Sequence, residues 1–374
     1  MRKLLCVTPL FPSDDKPFYC IYLQQQLQAL SKYEYDITVL IPVLSNRFSK
    51  QERVVDNLRI VRVEYKSLKG DFKYYIEQDV NNNKYDILAL NLCSQKLIQL
   101  FAKYVGIPKV VHFHGLNVWE DYHIKYQLYE KIIKYKKIRT LKKITAVVGV
   151  SEKVKRIVSE HYPVKRIFTV YNGVNPELFF PRSKRQKESF DIYCIANLIR
   201  IKGHEYLIKA LATVKEVMPN KITRVHLIGD GPLKSELFEL SKINNVEDCV
   251  LFEGEMMYDD IAMKMSTECD MFVMPSYFES LGCVYLEAMA CEIPTVGVSG
   301  CGIDEIIIDG INGFLVEPHN ANQIADKIIW ALNNPQELRS IAKEGRNTVI
   351  NKFTWDESGK KLANTYEEII RNYE

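Results

Sequence analysis

The sequence has no run of 18 apolar residues, so no helix of membrane-spanning length is expected. Its nine cysteines are an odd number and form no C-x-x-C pair. That pattern argues against a disulfide framework and for reduced thiols in a cytoplasmic protein. None of residues 1–69 is glycine. A loop there that needs close backbone approach to a ligand lacks the residue that best permits it. No internal repeat or low-complexity tract occurs, which sets aside solenoids and disordered arrays. The opening run MRKLLCVTPLFP is basic, but its apolar part is too short for a secretory signal. Residues 4–8 are expected to form a buried first strand.

What is present suits a soluble globular chain: 47% hydrophobic and 26% charged residues. A length of 374 residues exceeds one typical core and suits two domains of roughly 150–200 residues each. The net charge of +3 conceals an asymmetry. Residues 1–180 hold 29 Lys+Arg and 17 Asp+Glu, a net of +12; subtraction from the totals of 50 and 47 leaves −9 for residues 181–374. Basic residues concentrate in 125–143 (KYQLYEKIIKYKKIRTLKK), where eight of nineteen positions are Lys or Arg. Tyr126, Tyr129, Ile132, Ile133 and Tyr135 are interleaved. Two readings of this segment stay open: a helix lying on an anionic membrane surface, or one packed on its own domain with a solvated basic face. No nucleic-acid recognition motif accompanies the charge, so no nucleic-acid partner is expected.

Strand and helix patterns alternate through both halves. In the first, strands are expected at residues 4–8, 37–42, 58–63, 87–91, 110–114 and 146–150, with helices between them. In the second they are expected at 191–196, 225–229, 250–253, 271–275, 295–298 and 314–316. Such alternation predicts two doubly wound parallel sheets. Residues 176–188 (PELFFPRSKRQKE) are polar, basic and non-periodic, and are expected to link the halves. The chain ends in an apolar-periodic helix over 355–372.

The segment MPSYFESLGCVYLEAMACEIPTVGV, starting at Met274, carries the densest chemistry. Glu279 and Glu287 stand eight positions apart around Ser280, Leu281 and Gly282. A helix starting near Gly282 aims its free N–H groups into the space the two carboxylates face. Such a constellation binds phosphate through N–H groups and sugar hydroxyls through carboxylates. It sits at a strand's C-terminal end, where α/β sheets bind ligands.

On these residues the chain resembles the family 4 glycosyltransferases, retaining enzymes of the GT-B fold. Their signature is P-S-x-x-E-x-x-G-x-x-x-x-E-A-x-A; Pro275, Ser276, Glu279, Gly282, Glu287, Ala288 and Ala290 all match. The resemblance implies two Rossmann-like α/β domains facing across a cleft. It assigns residues 1–175 to the acceptor and 189–355 to a nucleotide-sugar donor, with helix 356–374 crossing back to the first domain. It implies transfer of a hexose from a UDP- or GDP-linked sugar to a saccharide or lipid-linked acceptor.

Further motifs acquire roles through the same resemblance. In VHLIGDGP, Gly229 and Gly231 end a strand and Pro232 suits a helix start; in the family this turn lines the donor site. In IANLIRIKG, Lys202-Gly203 matches a cation that holds the donor diphosphate, but Asn197 stands where the family usually has Arg. Asn carries no charge, so leaving-group stabilisation shifts onto Lys202 and backbone dipoles. Arg200 is close but out of phase. In VVHFHG, His114 matches a His that contacts the transferred sugar, while His112 reads as structural. Cys20 falls about where the family carries a loop Gly. Glu305 is either site-facing or a solvated helix-start residue. No D-x-D occurs, in keeping with a donor site that needs no metal and no other cofactor. The catalytic candidates are His114, Lys202 and Glu279; the donor-binding candidates are Asn197, Gly229, Gly231, Ser280, Leu281, Gly282 and Glu287. Two rival readings remain: a non-catalytic sugar-binding or scaffold subunit, and a nucleotide-sugar epimerase or hydrolase on the same fold.

Overall fold

A computed structural model of the chain describes residues 1–15, 19–103, 106–115 and 138–373. Most of the basic segment 125–143 lies outside them, as do Asn117 and the middle of the loop holding Asp14 and Cys20. Two compact units form: Met1–Asn172 with Trp355–Glu374, and Gly173–Thr354.

The first unit carries β1 (Arg2–Val7), α1 (Ile21–Ser31), β2 (Tyr35–Leu44), β3 (Ser49–Val55), β4 (Leu58–Tyr65), α2 (Asp71–Asn83), β5 (Ile87–Asn91), α3 (Gln95–Phe101), β6 (Lys109–Phe113), β7 (Ala146–Gly149), α4 (Glu152–His161) and β8 (Ile167–Thr169). The second has β9 (Phe190–Ile195), α5 (His204–Val217), β10 (Thr223–Ile228), α6 (Lys234–Ile243), β11 (Val250–Gly254), α7 (Tyr258–Glu268), β12 (Met271–Val273), α8 (Cys283–Ala290), β13 (Thr295–Val298), β14 (Phe314–Val316), α9 (Ala321–Asn333) and α10 (Pro335–Lys352). The terminal helix α11 (Trp355–Arg371) belongs to the first unit.

The first sheet runs β3-β4-β2-β1-β5-β6-β7-β8, the second β11-β10-β9-β12-β13-β14. Every pair is parallel except β3 with β4. The antiparallel edge hairpin corrects the expectation of an all-parallel first sheet. Its strand SKQERVV is polar on both faces and carries no buried stripe. Pairing comes instead from the tight turn at Asp56-Asn57, both at positive φ, and from the cross-strand Arg59–Glu52 ion pair at 2.6 Å.

The parallel strands are apolar on both faces because helices cover both. In the first unit Leu4, Cys6, Ile37, Val39 and Ile87 pack with Leu23, Leu27 and Leu30 of α1 and with Leu362, Tyr366, Ile369 and Ile370 of α11. Burying the four α11 side chains contributes about 1.5–3 kcal/mol each. Gly359 allows α11 to close on α1, since a Cβ there meets the Ala29 carbonyl carbon at 2.7 Å. Arg2 reinforces the seat with a 3.1 Å ion pair to Glu367.

Residues 176–188 belong to the second unit and are not a free linker. Charge explains their course: Arg182 donates to Ser266 Oγ at 2.6 Å, Arg185 pairs with Glu268 at 2.7 Å, and Lys187 with Asp191 and Asp270 at 2.8 and 2.7 Å. The stretch reads as polar because its side chains lie along the C-terminal end of α7, beside Ser266, Glu268 and Asp270. Among the described residues no helix is long and apolar enough to cross a membrane.

Candidate active site

In the second sheet β9 is flanked by β10 and β12, so strand order reverses at the β9/β12 boundary. Loops after adjacent strands diverge at such a point and leave a crevice at the carboxyl edge. Three loops meet there. Leu198 N–H donates to Asp230 C=O at 2.9 Å, and Leu233 N–H to Leu198 C=O at 3.1 Å. Tyr277 N–H and Ser276 Oγ both donate to Ile201 C=O at 3.1 Å. Loops 196–203, 229–233 and 274–282 are thereby fixed to one another by main-chain bonds.

Gly229 holds φ +131°, and a Cβ there stands 2.3 Å from the Ala196 carbonyl oxygen. Its missing side chain makes room for the neighbouring loop, a packing reason that the G-D-G-P pattern alone did not disclose. Gly231 closes the same turn, with its N–H bound to Asp230 Oδ1 at 2.9 Å. Gly282 caps α8 at φ +79°, a left-handed entry that L-residues disfavour. A Cβ there meets the ring of Tyr285 at 2.7 Å. Tyr285 in turn donates to Met274 C=O at 2.6 Å, fixing the helix to the end of β12. The start of α8 carries the positive end of its dipole, with Tyr285 N–H already bound to Gly282 C=O at 3.1 Å. Ser280 and Leu281 are both buried.

Lys202 Nζ and Glu279 Oε2 form an ion pair, with 19% and 16% of the two side chains exposed. Residues 77 positions apart are thus joined at the crevice. Arg200 points away, in an exposed pair with Glu236 of α6 at 3.4 Å, and does not stand in for the cation missing at Asn197. Glu287 is 7% exposed on α8. Burial pushes its carboxyl up to about 7, while the Tyr258 hydroxyl, donating to Oε1 at 2.7 Å, pulls it down. Tyr258 is a site residue that sequence reasoning missed; a lone Tyr at a helix start gives no signal of contact with a residue 29 positions on. Glu305 ends the 3-10 turn Gly302–Glu305 and is exposed.

His114 lies in the first unit, just past β6. Its Nε2 is 2.7 Å from Asn91 Oδ1, and Nδ1 is buried without a hydrogen-bond partner among the described residues. Burial lowers its pKa to about 4, so the ring is neutral at pH 7. His112 is structural, held at 2.7 Å from the Tyr366 hydroxyl of α11. Cys20 takes φ 57° as N-cap of α1, the left-handed conformation that suits glycine, and its side chain makes no capping bond. Among the described residues no three His, Cys, Asp or Glu side chains gather as a metal site.

Fold and site together define a GT-B protein with a carboxylate- and lysine-lined crevice in its second Rossmann-like unit. Residues 21–178 match the model of "Glycosyltransferase Family 4" and residues 176–348 that of "Glycosyl transferases group 1". The chain belongs to the family 4 type of GT-B glycosyltransferases. It is 30% identical over 218 residues to N-acetyl-alpha-D-glucosaminyl L-malate synthase of Bacillus anthracis, covering 56% of each chain. It superposes on sucrose-phosphate synthase of Thermosynechococcus elongatus with a TM-score of 0.80 at 19% identity, covering all of both chains. Anabaena HepE in complex with UDP and glucose gives 0.75 at 19% identity, covering 98% of this chain and 100% of that one. The chain spans just under three fifths of the length of the curated relatives it matches first, 59% and 56%.

Proposed function

We propose that this protein is a retaining glycosyltransferase that moves a hexose from a UDP- or GDP-linked sugar to a saccharide or lipid-linked acceptor in cell-surface polysaccharide synthesis. The observation that carries this reading is the meeting of Lys202, Glu279 and the start of α8 at the carboxyl edge of the β9/β12 switch point. The likeness to HepE, solved with UDP and glucose, supports a nucleotide-sugar donor.

In this reading Glu287 accepts hydrogen bonds from the ribose hydroxyls. Lys202 leaves Glu279 for the donor diphosphate, and the freed Glu279 turns to the sugar or holds its loop. The N–H groups at Leu281 and Gly282 complete the stabilisation of the departing diphosphate. Asn197 adds a neutral donor at most, so Lys202 carries the charge neutralisation and no metal is called on. His114 contacts the transferred sugar as a neutral ring. The leaving phosphate takes the acceptor proton, so no protein general base is named. The protein works in the cytoplasm, with residues 125–143 resting on an anionic membrane surface.

Purified protein is incubated with a panel of UDP- and GDP-sugars, and thermal shift is read beside slow donor hydrolysis. One donor that both stabilises the fold and is hydrolysed is the expected result. No response to any donor moves the reading to a scaffold subunit. For the membrane part, neutralising Lys134, Lys136, Lys137 and Lys143 is expected to weaken sedimentation with anionic vesicles; unchanged sedimentation removes that part.

A further inference from the structure

Glu287 has two oxygens in different surroundings. Oε1 accepts from the Tyr258 hydroxyl at 2.7 Å. Oε2 accepts no hydrogen bond from a described residue. Tyr258 is itself fixed: it opens α7, and its ring meets the fully buried Phe179 edge-on, centroids 5.2 Å apart. A rigid phenol on one oxygen sets the plane of the carboxylate and the direction of the other oxygen.

We propose that Tyr258 is a positioning residue that, through its hydrogen bond to Oε1, orients Glu287 for the hydroxyls of the donor's ribose. This rests on the reading of Glu287 as the ribose-binding group. A buried carboxylate with no donor takes up a proton, and a protonated carboxyl accepts from a diol poorly. Burial holds Glu287 at about 7, with Tyr258 opposing it. Among the described residues the other titratable group coupled to it is Cys291, farther along α8, whose thiol burial pushes up to about 12, so it stays neutral. Arg182 and Lys184 act on Cys291 and are not among the groups that shift Glu287.

The test uses the full chain, with UDP and GDP as probes, binding being measured by calorimetry from pH 6 to 9. Tyr258→Phe keeps the ring on Phe179 and removes only the donor. Without that donor the Glu287 carboxyl is held higher, so its ionised fraction at pH 7 falls. Binding is therefore expected to weaken at pH 7 and to return to wild type at pH 9. Glu287→Gln is expected to abolish the pH dependence. A Tyr258→Phe loss equal at every pH overturns the proposal, because it marks a direct contact or a shape defect. Unchanged binding at every pH also overturns it. Should wild type bind neither nucleotide, the ribose reading fails. Carboxyl 13C NMR of Glu-labelled protein then decides the orienting contact alone: an upward shift of the Glu287 titration in Tyr258→Phe supports it, and no shift overturns it.

Discussion

The two units bring chemistry to the carboxyl ends of their sheets in different ways. In the second, three loops are joined by main-chain hydrogen bonds, and glycines stand where one loop crosses another. In the first, the loop after β1 has no glycine, Cys20 takes a left-handed conformation at some cost, and the edge is a polar hairpin. On the proposed reading, the tightly knit second unit holds a charged leaving group with little reorganisation. The contrast teaches that glycine placement records backbone crossing as much as ligand approach.

The sharpest way to break this comparison is at Glu287. Glu287→Ala is expected to lower kcat/KM about 100-fold or more, since hydrogen bonds to a charged group contribute about 1.5–3 kcal/mol each. Circular dichroism is expected to stay native. Near-normal turnover removes the donor assignment. Lys202→Ala follows, with roughly 10–100-fold loss concentrated in kcat if its charge acts on the leaving group. A loss confined to KM places the cation in ground-state binding instead.

Stability tests the first unit. Ile369→Ala on α11 opens space beneath the sheet and is expected to cost about 2–5 kcal/mol in urea unfolding. A loss below 1 kcal/mol shows that α11 is not part of that core.

A buried histidine tests the second unit. His204 in the second unit is 2% exposed, and neither ring nitrogen has a partner among the described residues. Burial lowers its pKa to about 4. That lies below the ordinary 6.5, so the unfolded chain binds a proton that the fold excludes. Stability from this group is full above pH 6.5 and declines as pH falls toward 4. His204→Leu is expected to flatten the acid limb of the stability profile and leave neutral stability equal or higher, as an unpaired buried polar group costs about 1–3 kcal/mol. An unchanged acid limb contradicts it. The smallest effect is at Cys20: Cys20→Gly relieves the left-handed strain and is expected to stabilise by about 1 kcal/mol in thermal unfolding.

Much of the fold was legible because apolar runs in parallel strands are short and bounded by turn residues. Thr295–Val298 and Phe314–Val316 were read with their observed bounds. Ser49–Val55 was not, because an edge strand with polar side chains on both faces shows no period that separates it from a loop. Glu279, Lys202 and Glu287 were legible as motif residues. Their geometry was not: the Lys202–Glu279 pair closes 77 positions and the Tyr258–Glu287 bond 29, and local pattern carries no information over such distances. The strap 176–188 was misread as a linker for a related reason, since its partners Ser266, Glu268 and Asp270 lie some eighty residues on.

Titration calorimetry of UDP and GDP against wild type and Glu287→Ala tests the central claim most directly. One nucleotide is expected to bind wild type with one site per chain and to lose about 100-fold in affinity in the variant. Equal affinity in both proteins, or no binding of either nucleotide to wild type, contradicts a donor site on the second unit.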